Sequence, residues 1–189
     1  MQMKIMGQKE LHKEVKEAKF CTGCGACVNL CPYHACYHDE VVMLHACDLK
    51  EGGCYAFCPR TPTDLEALKK KLFDPKDLVP EIGAVKGFYI TRSADPAIRA
   101  GAQHGGTATA LLTLALQEGI IDTAVVADEG AALLPEGAMV QDPNAIKRRG
   151  KSKFVVSPNL AEFNRLAKEG GKKIGMVVTP CQALAFPSS

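Results

Sequence analysis

The sequence predicts a two-part protein, in which a small cysteine-rich α+β domain precedes an α/β domain. Eight of the nine cysteines lie between Cys21 and Cys58, so metal or redox chemistry is concentrated near the N-terminus. After Arg60 the composition changes, and helix and strand patterns alternate in the second half. We therefore predict a first domain over residues 1–60, a linker over 61–83 and a second domain over 84–189.

Composition is ordinary for a soluble globular chain. The 189 residues are 47% hydrophobic and carry a formal net charge of +2, which indicates no particular partner. No run reaches the ~18 apolar residues of a membrane span, and the polar N-terminus has no signal-peptide core. We expect a cytoplasmic protein with reduced thiols, where clustered cysteines favour metal ligation over disulfides.

Four cysteines near the N-terminus have a spacing typical of iron–sulfur ligation, with gaps of two, two and three residues and then a proline. They are Cys21, Cys24, Cys27 and Cys31, followed by Pro32. The small residues Gly23, Gly25 and Ala26 leave room for a bulky inorganic core. Zinc sites usually pair two CxxC knuckles across a longer loop, so zinc is the less favoured alternative. The pattern predicts a bacterial-ferredoxin-like domain with a [4Fe-4S] cluster.

A second, imperfect copy of the motif ends in Cys54, Cys58 and a proline. In two-cluster ferredoxins the last cysteine of each motif reaches the other cluster. On this rule the predicted ligands of the first cluster are Cys21, Cys24, Cys27 and Cys58. Those of a second cluster are Cys31, Cys47 and Cys54, with Cys36 as the candidate fourth. If Cys36 is instead an apolar core residue, Asp48 or Glu51 ligates the second centre, or that centre has three irons.

The second domain is predicted to begin with a strand over residues 84–93. A Gly105-Gly106-Thr107 turn then precedes an apolar helix over 108–117, which Gly119 ends, and a buried strand covers 121–128. Backbone N–H groups at a helix start can hold a phosphate, although such a glycine turn often only permits a tight bend.

Three later features are candidates for a binding site. Five basic residues over 147–153 suit an anionic cofactor or an acidic partner, or form a solvated surface, and they lack the interleaved aromatics of nucleic-acid binding. Ser157 or Asn159 is placed to cap the following helix. Cys181, in a Thr-Pro-Cys-Gln turn after a strand, lies where α/β sheets bind ligands, or is a buried small thiol.

These elements, in this order, resemble the beta-subunit family of coenzyme F420-reducing hydrogenases and dehydrogenases. The resemblance runs from about Phe20 to Gln182 and rests on CTGCGACVNLCP, CYAFCPR, HGGTATALL, GKSKF, SPN and VVTPCQ. It implies FAD on the α/β domain, electron exchange between the flavin and [4Fe-4S] clusters and, in many members, hydride exchange with F420. Carried onto this chain, it places the flavin against Gly105, Gly106, Thr107, Thr109, Lys153, Ser157, Asn159, Thr179 and Pro180.

Members of the family continue well beyond the PCQ element, whereas this sequence ends at Ser189, so we expect a C-terminally truncated α/β domain. The predicted function is a redox subunit of a larger oxidoreductase, in F420-linked hydrogenase or formate dehydrogenase-type chemistry. It would relay electrons between two [4Fe-4S] clusters and FAD, with other subunits as partners, one of which could complete the truncated domain. The alternative is a non-catalytic iron–sulfur electron-transfer and assembly subunit without flavin. No catalytic acid, base or nucleophile is assigned.

Overall fold

The computed structural model describes residues 4–130 and 134–186 of the chain. Within these ranges, short helices and three small sheets form a mixed α+β structure. None of the helices in this part of the chain is long and apolar enough to cross a membrane.

The cysteine-rich region combines a β-hairpin with short helices. Its elements are α1 (Gln8–Leu11), a π-helical segment (His12–Glu17), β1 (His34–Tyr37), β2 (Glu40–Met43) and α2 (Gly53–Ala56). Strands β1 and β2 are antiparallel, with Cys36 opposite Val41. Leu11 and Val15 are each 2% exposed and pack against Cys54. The N-terminal helix is therefore fixed to the region through its apolar side.

The connecting region has regular structure of its own. Its elements are α3 (Leu65–Leu72), a 3-10 turn (Pro75–Asp77), β3 (Leu78–Val79) and β4 (Gly83–Ala84). Asp64 caps α3, and its side chain accepts a 2.9 Å hydrogen bond from the Ala67 N–H. No residue of α3 is buried, so this helix lies on the surface.

The strand predicted over residues 84–93 is wrong except at its first residue, because regular strand ends at Ala84. Phe88 is 76% exposed, Tyr89 is 84% exposed and Ile90 is fully exposed. Alternation of apolar residues is compatible with a strand, but a strand also needs a hydrogen-bonding neighbour. The described part of the chain provides none for this segment.

A three-stranded sheet organises the second half, in the order β6-β5-β7. Its strands and the surrounding helices are α4 (Pro96–Gly101), α5 (Thr107–Gln117), β5 (Thr123–Glu129), β6 (Pro135–Val140), α6 (Pro143–Arg148), α7 (Asn159–Glu169), β7 (Ile174–Met176) and α8 (Pro180–Leu184). Strand β5 is antiparallel to β6 and parallel to β7. The predicted apolar helix and buried strand are confirmed as α5 and β5, and Gly119 follows α5 with a φ of +66°.

The core of this half forms where α5 and α6 pack on the sheet. Leu112 and Ile146 contribute from the helices, and Ala124, Val126 and Val140 contribute from the strands. Ala124 is completely buried, which fits a central strand covered by helices.

Helix α7 joins the two halves by binding the cysteine loop. The Asn164 Nδ2 atom donates hydrogen bonds of 2.8 Å to the carbonyl oxygens of both Ala26 and Val28. The Leu160 N–H donates to the Cys24 carbonyl at 3.3 Å. The conformation of the loop therefore depends on a helix more than a hundred residues further along the chain.

Candidate functional site

Four cysteines line one small pocket in the N-terminal region. They are Cys21, Cys24, Cys27 and Cys58, the same four that the crossover rule assigns to the first cluster. Leu11 and Val15 provide apolar walls, and Lys16 lines the pocket as well. All nine cysteines of the chain are free thiols. In the described ranges, no three His, Cys, Asp or Glu side chains meet closely enough to hold one metal ion.

Two glycines allow the cysteine loop to approach its neighbours closely. Gly23 and Gly25 have φ values of +60° and +81°. A Cβ at Gly23 would lie 2.4 Å from the Asp39 carbonyl oxygen, and one at Gly25 would lie 2.8 Å from the Ala161 nitrogen. These glycines therefore make room for the β-hairpin and for α7, where the sequence had suggested room for an inorganic core.

Burial and one ammonium group control the protonation of the four thiols. Burial raises the pKa of Cys24, Cys27 and Cys58, that of Cys58 to about 11. Burial also raises the pKa of Cys21, but a hydrogen bond and charge from Lys16, with backbone hydrogen bonds, outweigh it and bring the pKa below its usual value. The Lys16 Nζ lies 3.0 Å from the Cys21 Sγ. Cys21 is therefore the thiol most readily deprotonated among the four.

A second group of thiols adjoins the first, because Cys21, Cys27 and Cys58 pack against the apolar cluster that contains Cys54. Cys54 lies within electrostatic range of Cys31 and Cys47, and burial raises its pKa. Cys36 lies instead within range of Cys24 and Cys21, the thiols of the first group. Of the four cysteines predicted for a second centre, Cys31 and Cys47 thus lie within electrostatic range of Cys54, whereas Cys36 lies within range of Cys24 and Cys21.

The two carboxylates predicted as alternatives to Cys36 in the second centre are exposed to solvent. The Asp48 side chain is 96% exposed and pairs with the Lys9 ammonium at 3.2 Å. Glu51 is exposed on the loop before α2. Neither carboxylate is held against the second group of thiols by a described contact.

A cavity of about 1100 Å³ lies between the cysteine loop and the three-stranded sheet. Ligand pockets typically measure about 300–1,000 Å³, so this cavity is large enough for an extended cofactor. Leu112 and Val126 give it an apolar wall, and Arg149, Lys151 and Lys153 give it a basic one. The cavity combines the two surfaces that a phosphate-bearing aromatic cofactor needs.

Five of the nine residues predicted for the flavin site line this cavity. They are Thr109, Lys153, Ser157, Asn159 and Thr179. The other four, which are Gly105, Gly106, Thr107 and Pro180, are not among its lining residues.

The glycine turn before α5 packs against the preceding segment. A Cβ at Gly105 would lie 2.8 Å from the Thr91 carbonyl oxygen, and one at Gly106 would lie 2.8 Å from the Ile98 side chain. The Thr107 hydroxyl forms a 2.9 Å hydrogen bond with the Thr91 hydroxyl. Both positions therefore need a glycine for close packing of the chain.

The SPN turn lines the cavity without capping α7. Pro158 occupies the N-cap position, and no side chain caps the helix, so the predicted cap by Ser157 or Asn159 is wrong. The Ser157 hydroxyl bonds the Asn159 side-chain oxygen at 2.8 Å, and the Ser157 carbonyl accepts from Gln182 at 2.8 Å. These bonds tie the SPN turn to the PCQ element of α8.

Two of the cavity's cations are paired with acids on β5. The Arg149 Nε lies 2.5 Å from an Asp128 carboxylate oxygen, and the Lys153 Nζ lies 2.7 Å from a Glu129 oxygen. Burial raises the pKa of Asp128, but Arg149, a backbone N–H and Lys153 outweigh it and hold the pKa below its usual range. These pairs position the basic side chains at the rim of the cavity.

The cysteine loop forms part of the cavity wall, which the sequence does not reveal. Thr22 and Cys24 line both the four-thiol pocket and the cavity. Cys181 also lines the cavity, within electrostatic range of Cys24 and 3.1 Å from the Thr179 hydroxyl. Cys24 and Cys181 are far apart in sequence, so only the tertiary structure reveals their proximity.

Comparison with known proteins supports the resemblance. Residues 88–163 match the family model described as "Coenzyme F420 hydrogenase/dehydrogenase, beta subunit N-term". This stretch is therefore similar to the N-terminal part of these beta subunits. An uncharacterized protein of Methanocaldococcus jannaschii is 29% identical, with 95% of this chain and 55% of that protein aligned. Coenzyme F420 hydrogenase subunit beta of Methanothermobacter thermautotrophicus is 36% identical, with 56% and 38% aligned.

One solved structure also matches the chain. A chain of the F420-reducing [NiFe] hydrogenase complex from Methanosarcina barkeri shares 33% sequence identity, with a TM-score of 0.42. The match covers 48% of the present chain and 33% of the hydrogenase chain. The chain spans about half the length, or less, of the proteins it matches, with values of 55%, 38% and 33%.

Proposed function

We propose that this chain is a redox subunit of an F420-linked oxidoreductase, in which iron–sulfur clusters and a flavin exchange electrons. The observation that carries the proposal is the shared wall formed by Thr22 and Cys24. A group in the four-thiol pocket and a group in the cavity would lie on the two sides of one loop. Electrons would then pass between them without crossing the rest of the protein.

The first cluster would be a [4Fe-4S] group held by the four-thiol pocket. Its proposed ligands are Cys21, Cys24, Cys27 and Cys58. The bound cluster would supply one-electron redox chemistry. The chain's own residues supply the thiolates, the apolar walls of Leu11 and Val15, and the ammonium of Lys16.

The cavity is the proposed site for FAD. Arg149, Lys151 and Lys153 would bind the pyrophosphate, since cationic side chains form strong charge-assisted hydrogen bonds with phosphate. Leu112 and Val126 would pack against the ring system. The flavin would supply the exchange between one-electron and two-electron chemistry.

A second iron–sulfur centre is proposed at Cys31, Cys47 and Cys54, because Cys54 lies within electrostatic range of the other two. The sequence leaves the fourth ligand open. It is Cys36, Asp48 or Glu51, unless the centre has three irons and needs no fourth ligand. Cys36 lies within electrostatic range of Cys24 and Cys21, and this favours a centre with three cysteine ligands.

The assignment to F420 chemistry and to a multisubunit complex rests on the relatives. Their names include a beta subunit of coenzyme F420 hydrogenase, a coenzyme F420-dependent sulfite reductase and one subunit of an F(420)H(2) dehydrogenase. We propose F420 as the two-electron donor or acceptor and other subunits as partners.

The test is anaerobic purification, reconstitution with iron and sulfide, and addition of FAD. We expect iron and acid-labile sulfide in similar amounts, and flavin absorbance that stays with the protein through gel filtration. The double variant Lys151→Glu, Lys153→Glu should lose flavin and keep iron. Lys168→Glu, an exposed charge change on α7, is the matched control. A wild-type chain that binds no iron would overturn the whole proposal.

A second candidate function is a non-catalytic iron–sulfur subunit without flavin. The observation that favours it is the position of Gly105 and Gly106, which pack against Thr91 and Ile98 and not along the cavity. The same experiment separates the two functions. Iron and sulfide without retained flavin, even in excess FAD, would establish this alternative.

A further inference from the structure

Lys16 directs its ammonium group at the four-thiol pocket. Its Nζ lies 3.0 Å from the Cys21 Sγ and also donates a hydrogen bond to the Val41 carbonyl of strand β2. The side chain is half-buried and lines the pocket together with all four thiols. Two hydrogen bonds from one ammonium, to a sulfur and to a fixed carbonyl, hold the charge in place.

The other charged groups near the pocket are engaged elsewhere. Arg60 also lines it, but its guanidinium lies over the Phe20 ring, 5.6 Å from the ring centre. On the neighbouring turn, the Glu14 carboxylate accepts a 2.8 Å hydrogen bond from the Tyr55 hydroxyl. Lys16, by contrast, lies within electrostatic range of Cys21, Cys27 and Cys36.

We propose that Lys16 raises the reduction potential of the cluster held by Cys21, Cys24, Cys27 and Cys58. The inference rests on the proposed function, because it requires a cluster in the pocket. It assigns Lys16 as a positioning residue that acts through the cluster's charge and does not touch substrate.

The direction of the shift in reduction potential follows from the charge of the cluster. Reduction adds one electron to the cluster and so makes it more negative by one unit. A nearby fixed positive charge stabilises the reduced form more than the oxidised form, and hydrogen bonds to the sulfurs act in the same direction. Removal of the charge must therefore move the potential to a more negative value.

The experiment is an anaerobic redox titration of the reconstituted chain, with dithionite as the reductant and cluster electron paramagnetic resonance as the readout. Lys16→Gln removes the charge and keeps an N–H donor for the Val41 carbonyl, whereas Lys16→Arg keeps the charge. Lys13→Gln is the matched control, since Lys13 lies on the same π-helical segment and is exposed.

For Lys16→Gln we expect about a tenfold lower ratio of reduced to oxidised cluster at a fixed potential, a shift of about 59 mV to more negative values. Lys16→Arg and Lys13→Gln should titrate like the wild-type chain. Equal potentials for wild type and Lys16→Gln, at equal iron content, would overturn the proposal.

Iron and sulfide analysis separates the other outcomes. If Lys16→Gln loses its iron, Lys16→Met, which keeps the aliphatic stem, is titrated in its place. Loss of iron from both neutral variants would assign Lys16 to cluster assembly and overturn its role in the potential. An iron-free wild-type chain would instead refute the proposed function itself.

Discussion

Replacement of Gly25 by alanine tests whether α7 holds the cysteine loop. Gly25 has a φ of +81°, and an added Cβ would lie 2.8 Å from the Ala161 nitrogen and 3.0 Å from the Pro158 carbonyl oxygen. Both contacts are with backbone, which cannot rotate away as a side chain would. The loop and α7 must therefore separate if the residue is to be accommodated.

The expected loss of unfolding free energy in Gly25→Ala has two parts. An alanine in a left-handed conformation costs roughly 1–2 kcal/mol. Separation of the loop from α7 would also lengthen the hydrogen bonds from Leu160 and Asn164, each worth about 1 kcal/mol. We expect Gly25→Ala to lower the free energy of unfolding by about 3–5 kcal/mol.

Gly119→Ala is the matched control, because Gly119 has a φ of +66° and no atom within 4 Å of its would-be Cβ. In Gly119→Ala the free energy of unfolding should fall only by the cost of the left-handed conformation, roughly 1–2 kcal/mol. Equilibrium urea unfolding followed by far-UV circular dichroism measures both variants. Equal losses for the two substitutions would refute the inference that contact with α7 determines the loop conformation.

Two further predictions concern the second thiol group and the cavity rim. Cys36→Ser should keep its full iron content, whereas Cys54→Ser should lose the iron of the proposed second centre. Colorimetric iron analysis measures both variants, and loss of iron from Cys36→Ser would establish Cys36 as a ligand. Arg149→Gln should lower the free energy of unfolding by about 1–2 kcal/mol at pH 7. The pKa of Asp128 is lowered in the folded protein, so its ion pair stabilises the fold at pH values above about 3.9, the pKa of an aspartate in the unfolded chain. In urea unfolding at decreasing pH, this difference should narrow below about pH 4 as Asp128 is protonated; a constant difference would contradict the ion pair.

Local sequence signals predict the local elements well. The apolar repeat and Gly119 identify α5, and the apolar run identifies β5. Each of these depends on residues within one turn or one strand. The cysteine spacing is also a local signal, and the four thiols assigned from it line one pocket.

Features that depend on distant partners are not predictable in this way. The segment containing Phe88 alternates like a strand but lies exposed, because pairing depends on a neighbour that the pattern does not specify. The Gly105-Gly106 pair has the composition of a phosphate loop, yet the packing of Gly105 against Thr91 is a tertiary contact. The contribution of Cys24 to the cavity wall arises only when α7 brings the two halves together.

The contact between Asn164 and the cysteine loop has a consequence for biosynthesis. Asn164 lies 138 residues after Ala26, whose carbonyl it binds. While the ribosome is still translating the segment between them, the loop has its sulfurs but not the helix that fixes its shape. Loading of the proposed iron–sulfur cluster into a correctly shaped loop would therefore have to wait until α7 has emerged from the ribosome.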